Sequence, residues 1–328
     1  MILKSLDTPD PAVRAELSAL AGIQLWLEAD FAVSDGSSVY RLTPADRVIT
    51  RLTATQSGTK YAIARAGARG LDLVAAGHNP STHIAQDGAV TTNQAPYENP
   101  ISADGDSTWF FEPASAKKAG VLRRIDDSGT TTSELPVPDS MAVSLGVGGR
   151  FVLESGDGRS FAFDPMAKLL EPLAGRVLAL AANANPYVTY LCDDTATCDV
   201  RYKSGATPDV VLARSALPPR KGVTEWYLSP DGKFVVHVPP QDEPSSAGPA
   251  QATVVDPLTG AIVVLGRPSR VNLSATPIAW SADQRWLFLP RNDGIAVWRP
   301  GLDHPVLIQL LNDAGPVNIR TFAFALAV

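Results

Sequence analysis

Four histidines and two cysteines are the side chains of this sequence with the widest chemical reach, and their spacing decides what they could do. His78 and His83 share the segment "AAGHNPSTHIAQDG", where two imidazoles on one loop could reach a metal ion. A tetrahedral site needs more ligands than this segment supplies, and a solvated loop accounts for it without any. His237 falls in "WYLSPDGKFVVHV" and reads as a packed or edge-facing strand residue. None of the four, His304 included, has the spacing of a metalloprotease helix. Cys192 and Cys198 flank the polar turn of "YLCDDTATCDV". Facing each other across a hairpin they could form a disulfide, which implies an oxidising compartment; the alternative is two free thiols beside a loop. As metal ligands they are half a tetrahedral set with no histidine nearby.

The acidic and glycine-rich segments narrow the chemistry further. Asp104 and Asp106 in "SADGDST" resemble a fragment of a calcium loop but lack its distant glutamate, so a strand turn is the better reading. Asp193, Asp194 and Asp199 around the cysteines are read the same way. "LGVGGR", Leu145 to Arg150, has neither the Lys-Ser/Thr ending of a phosphate loop nor the third glycine of a dinucleotide site. No Gly-x-Ser-x-Gly elbow is present and no α/β segment follows, which excludes a peptidase of the prolyl oligopeptidase type for this chain. No catalytic residue, metal or cofactor is expected from these motifs.

The elements that must position such residues are strands. Proline numbers 27 and glycine 25 of 328 residues, a turn-rich balance, while 45% hydrophobic and 19% charged residues are enough for a packed core. A small turn residue followed by strand-like alternation recurs seven times: "GIQLWLEA", "GTKYAIARA", "GDSTWFFEPA", "GGRFVLES", "NPYVTYLC", "GKFVVHV" and "QRWLFLP". The anchors fall at residues 22, 58, 105, 149, 185, 232 and 284, in steps of 36 to 52 residues. That is about the length of one four-stranded propeller blade, roughly 40 to 50 residues. Behind most anchors comes a second strand–turn–strand, as in "VLRRIDDSGTTTSEL" and "ATVVDPLTGAIVVL"; before several comes a short apolar strand, as in "MAVSLG" and "TEWYLS". A sheet with apolar residues on both faces must bury both, and radial packing around an axis does so while leaving only short edges.

The fold class expected is therefore all-β: one β-propeller domain over residues 1–328, with seven four-stranded blades, six or eight being the alternatives. "LSPDGKFVV" with "VVDPLTGAIVVL" resembles the repeats of the TolB-like and WD-repeat-like propellers, in which a Ser-Pro-Asp-Gly turn joins two inner strands. Ser229, Pro230, Asp231 and Gly232 are accordingly read as turn chemistry. "WSADQRWLFL" keeps Ser281 and Asp283 of that pattern, and the other repeats share only its outline. The resemblance implies an architecture that serves ligand binders, scaffolds and gating domains alike, and so no single function. The ring is expected to close through a terminal strand, "RTFAFALAV" from Arg320 to Val328, in preference to "RAELSALAG" from Arg14 to Gly22, which could instead form a short helix.

With 34 acidic and 28 basic residues, a net charge of −6, the chain as a whole should repel nucleic acid and anionic membranes. No apolar run reaches the length of a membrane span. "MILKSLDTPDPAVRAEL" lacks the apolar core of a signal peptide, leaving a cytoplasmic protein or one exported or anchored by a preceding segment. The cysteine pair favours the extracytoplasmic alternative. The basic residues gather on links between one blade's outer strand and the next blade: Arg176, Arg220 and Lys221, Arg267 and Arg270, and Arg320. The links before the third and fourth blades carry Glu98 and Asp139 instead. On one rim such guanidiniums could attract an acidic ligand or protein surface, though each would also be at home as a solvated loop residue. The expected function is a non-enzymatic binding or scaffold module; the alternative is a lyase or hydrolase working at the channel mouth.

Overall fold

A computed structural model gives the fold. It describes residues 2–7, 10–19, 23–30, 38–43, 48–54, 61–67, 70–75, 81–85, 89–93, 100–104, 107–114, 119–126, 130–181, 185–193, 197–205, 207–215, 226–239, 251–268, 278–280, 285–291, 294–312, 315–316 and 318–326. The anchors at 22, 58, 105 and 284 lie outside these residues; those at 149, 185 and 232 lie within them. Among the described residues the strands form five four-stranded antiparallel sheets and one ten-stranded sheet. The chain groups into two compact units, residues 1–96, 238–253 and 263–328, and residues 97–237 and 254–262.

The second unit displays the repeat most plainly. One sheet runs through Pro100–Asp104, Ser107–Glu112, Val121–Asp126 and Thr131–Pro136; the next through Met141–Val147, Arg150–Ser155, Ser160–Asp164 and Leu169–Leu173; a third through Arg176–Leu180, Tyr187–Cys192, Cys198–Ser204 and Thr207–Ser215. A further sheet, not confined to the second unit, takes Trp226–Leu228, Val235–His237, Ala252–Val255 and Ile262–Gly266 in the same order. Each strand follows its neighbour in sequence, as a meander built from local hairpins must. Phe151, Val152 and Leu153 are all buried, so this second strand is covered on both faces and alternation alone cannot satisfy it. Phe151 and Leu153 meet Trp109 and Leu122 of the preceding sheet, with Trp109 edge-on to Phe151 at 5.4 Å between ring centres. Val152 faces the other way, onto Val177 and Leu180 of the following sheet. Val188, Tyr190, Val200 and Tyr202 repeat the arrangement against Trp226 and Val235. Each such large apolar side chain contributes about 1.5–3 kcal/mol by leaving water. The outer strands carry less of this load: Leu169 and Ile262 are exposed.

In the first unit, Tyr61–Gly67, Gly70–Ala75, Ser81–Ala85 and Val90–Asn93 form a sheet of the same kind. Here the strand after the anchor at 58 comes first in its sheet, whereas the strands after 105, 149, 185 and 232 come second. The ten-stranded sheet contains the meander Ala279–Trp280, Leu287–Arg291, Gly294–Trp298 and Val306–Asn312, and the strands Ile23–Asp30, Ser38–Thr43 and Val48–Ala54. Asn318–Leu326 pairs antiparallel with Ile23–Asp30, from Ile23 opposite Leu326 to Asp30 opposite Asn318. Ile2–Asp7 adds to the edge of Val306–Asn312, a pairing that no local pattern foretold.

"DPAVRAELSA" forms a helix, Pro11–Ala19. Asp10 caps it, its carboxylate accepting from the Ala12 amide at 2.8 Å, and proline occupies the first helical position, where no amide hydrogen is needed. Val13 and Leu17, one turn apart, are its buried residues. Glu16 between them takes the Arg299 guanidinium at 2.9 and 3.1 Å, and Arg299 in turn lies over the Trp286 ring.

Candidate functional site

Several of the described aspartates are occupied by their own turns. In the Ser-Pro-Asp-Gly turn the Ser229 hydroxyl donates to Asp231 at 2.7 Å, and the amides of Lys233 and Phe234 donate to Asp231 and Ser229 at 3.1 and 2.9 Å. Burial pushes the Asp231 carboxyl up, but hydrogen bonds from Ser229 and Lys233 and the Lys233 charge outweigh it and hold the group below the usual range. Asp256 repeats the device in "DPLTGA": burial raises it, and hydrogen bonds from Thr259 and from the amides of Leu258 and Thr259 bring it below its ordinary value. Asp164 caps Met166 and Ala167 in the same way and pairs with Arg150 at 2.7 Å. Asp157, hydrogen-bonded first by Ser155 and then by Arg159, is also lowered. Turn residues of this type are chosen because a short carboxylate can satisfy amides that the strand ladder leaves over.

Among the described side chains, His237 is accounted for by packing and the two cysteines by their pairing. His237 stacks on Trp226, its cross-strand partner, with ring centres 4.2 Å apart. Cys192 and Cys198 sit opposite each other in register and are joined in a disulfide. Inside that bridge the Asp193 amide donates to the Thr197 carbonyl at 2.9 Å, and the Thr197 amide returns to the Asp193 carboxylate at 3.0 Å. Asp199 follows as a buried carboxylate, 2.9 Å from Arg201 and 3.9 Å from Arg214. His78, Asp106 and Asp194 lie outside the described residues, as do the side chains of His83 and Asp104. Among the described residues no three His, Cys, Asp or Glu side chains gather as a metal would need.

Of the basic link residues, Arg176 and Arg267 have described side chains. Two residues separate the end of Leu169–Leu173 from Arg176, which opens its strand; its guanidinium is partly exposed and 3.9 Å from Glu154. The link is tightly built, since the Thr189 hydroxyl lies 2.7 and 3.0 Å from the carbonyls of Ala174 and Arg176. Arg267 directly follows the outer strand Ile262–Gly266 and is exposed. Arg320 lies within the strand Asn318–Leu326, at its register shift against Glu28 and Ala29, rather than ahead of it. Arg220, Lys221, Arg270 and Glu98 lie outside the described residues. The sequence reading did not single out Arg159 and Arg214, whose side chains are 71% and 81% exposed. Arg214 stands in "ARSALPPRKG", six residues before Arg220, so its own link carried the signal. Arg159, Arg176 and Arg214 each come with a carboxylate, Asp157, Glu154 and Asp199, at 2.8, 3.9 and 3.9 Å.

No family model matches this sequence, and no curated protein matches it either. Solved structures do. A candidate 6-phosphogluconolactonase from Bacteroides uniformis is 11% identical, with a TM-score of 0.50 over 93% of this chain and 99% of that one. TolB from Acinetobacter baumannii is 12% identical, with a TM-score of 0.43 over 89% and 80% of the two chains. A chain of the mitotic checkpoint complex is 13% identical, with a TM-score of 0.48 over 80% and 82%. At such identities the likeness concerns fold alone.

Proposed function

We propose that the chain is a binding module: a propeller of seven four-stranded blades, closed through the pairing of its last strand with Ile23–Asp30, that offers a rigid and partly basic loop face to a protein or other anionic partner. The observation that carries this reading is the position of Arg176 and Arg267. Arg267 directly follows the outer strand Ile262–Gly266, and Arg176, separated by two residues from the outer strand Leu169–Leu173, opens the inner strand beyond it, so each lies close to the end of an outer strand. Loops on a rigid scaffold are where recognition residues belong, and planar guanidiniums suit carboxylate or phosphate groups. Three turn carboxylates agree with this reading. A general acid needs a raised pKa, whereas Asp157, Asp231 and Asp256 are lowered by the turns they cap. The disulfide fits an extracytoplasmic location. Among the described residues no helix is long and apolar enough to cross a membrane.

The test is retention on a polyglutamate resin at low salt, before and after Arg220→Glu and Arg267→Glu. Earlier elution of the variants is the result expected; elution unchanged from the parent removes the reading.

A further inference from the structure

The connection that carries Arg267 has an unusual underside. Its outer strand ends at Gly266 with φ +100°, and the Arg291 guanidinium occupies the space where a side chain at 266 would go. A methyl group there would come within 2.5 Å of Nη1 and 2.9 Å of Cζ of Arg291. Arg291 Nη1 donates to the Leu265 carbonyl at 3.2 Å, satisfying an acceptor at the strand's end. Its backbone also pairs antiparallel with Pro268. One residue therefore grips the connection twice, by side chain before Arg267 and by main chain after it. Pro268 is buried and Arg267 is exposed, as alternation about a fixed bridge requires.

We infer that Arg291 is the positioning residue of the Arg267 connection, holding its backbone so that the Arg267 guanidinium is presented to an anionic partner with its ordering cost already met. The inference rests on the binding function proposed above for Arg267. Lysine cannot replace Arg291, because the flat fork both fits against Gly266 and reaches the Leu265 carbonyl, and a tetrahedral ammonium on a flexible stem does only one of these. Gly266 is required for the same reason from the opposite side: any side chain there displaces the guanidinium.

The experiment uses the full chain, with polyglutamate as the binding probe and amide hydrogen exchange as the second readout. Arg291→Lys keeps the charge; it is expected to speed exchange at Gly266 and Arg267 and to weaken polyglutamate binding by up to about fivefold, the worth of one exposed ionic contact. In an Arg267→Gln background Arg291→Lys should weaken binding no further, which a general loss of structure would not reproduce. Gly266→Ala should give the same exchange signature, so the conclusion does not hang on one variant folding well. Protection at Gly266 and Arg267 unchanged in both variants overturns the inference, as does an equal loss of binding with and without Arg267. Should Arg267→Gln itself leave binding unaltered, the binding function of Arg267 fails, and the exchange data alone then decide whether Arg291 holds the connection.

Discussion

Replacing Gly232 by alanine should cost far more than the loss of a flexible residue. Gly232 closes the Ser-Pro-Asp-Gly turn with φ +75°, a conformation that costs an L-residue roughly 1–2 kcal/mol. The added methyl would also run into the Pro186 ring, which crowds that position, and would meet the Ala181 methyl at 3.4 Å. Forcing a group into a packed site costs about 1–3 kcal/mol more, so the total expected is about 2–5 kcal/mol. Gly260 provides the control: its φ is +74°, and nothing lies within 4 Å of the position a methyl would take. Gly260→Ala should therefore pay only the backbone cost, about 1–2 kcal/mol. Urea unfolding of both variants, followed by circular dichroism, isolates the packing contribution as the difference between them, about 1–3 kcal/mol. Equal losses would refute the claim that the Ser-Pro-Asp-Gly turn is seated on the neighbouring sheet. The same seat is marked by the Tyr202 hydroxyl, which donates to the Gly232 carbonyl at 3.1 Å.

Two more predictions concern the disulfide and the turn carboxylates. Thiol titration of the denatured, unreduced chain should find no reactive cysteine, and changing both Cys192 and Cys198 to serine should cost about 2 kcal/mol in urea unfolding, the worth of closing so short a loop; two titratable thiols would contradict the pairing. Asp231 has a folded-state pKa below its unfolded value of about 3.9, so its stabilising contribution is present above that pH and is lost as pH falls through the lower, folded value. Asp231→Asn should thus be less stable than the parent at neutral pH, with the gap closing in acid; a gap that stays constant across this range would show that the charge is not what the turn uses.

Much of the architecture was legible because it is local. Alternation plus a turn residue marked the second strands at "GGRFVLES" and "NPYVTYLC", since hairpin meanders place sequence neighbours side by side. Asp231 and Asp256 were legible as turn residues because Asx capping acts over two or three positions. The anchor at 58 fell one strand out of phase: "YAIARAG" alternates as well as a second strand does, while the true second strand, Gly70–Ala75, is shorter and opens on glycine. What depends on distant register was not legible. Ile2–Asp7 joins a strand some three hundred residues away, and nothing in "ILKSLD" names its partner. The pairing of Arg176 with Glu154 and the seat of Gly266 on Arg291 arise only once neighbouring sheets are set at a fixed stagger. For the candidate site the sequence could offer charge on the links and no more, because the carboxylates that accompany Arg159 and Arg214 lie on turns and strands that read as structural.

The proposed presentation of the basic links on one scaffold assumes that the chain closes on itself, so the pairing of Asn318–Leu326 with Ile23–Asp30 carries the central claim. The measurement is a thermal melt of the chain lacking residues 318–328, set beside the full chain under the same conditions. Loss of the paired strand leaves Ile23–Asp30 with only Ser38–Thr43 beside it, opening its other edge along its whole length, and should replace the cooperative transition with a broad, lowered one. A melt as sharp and as high as that of the full chain would contradict closure, and with it the proposed presentation of the basic links on one rigid ring.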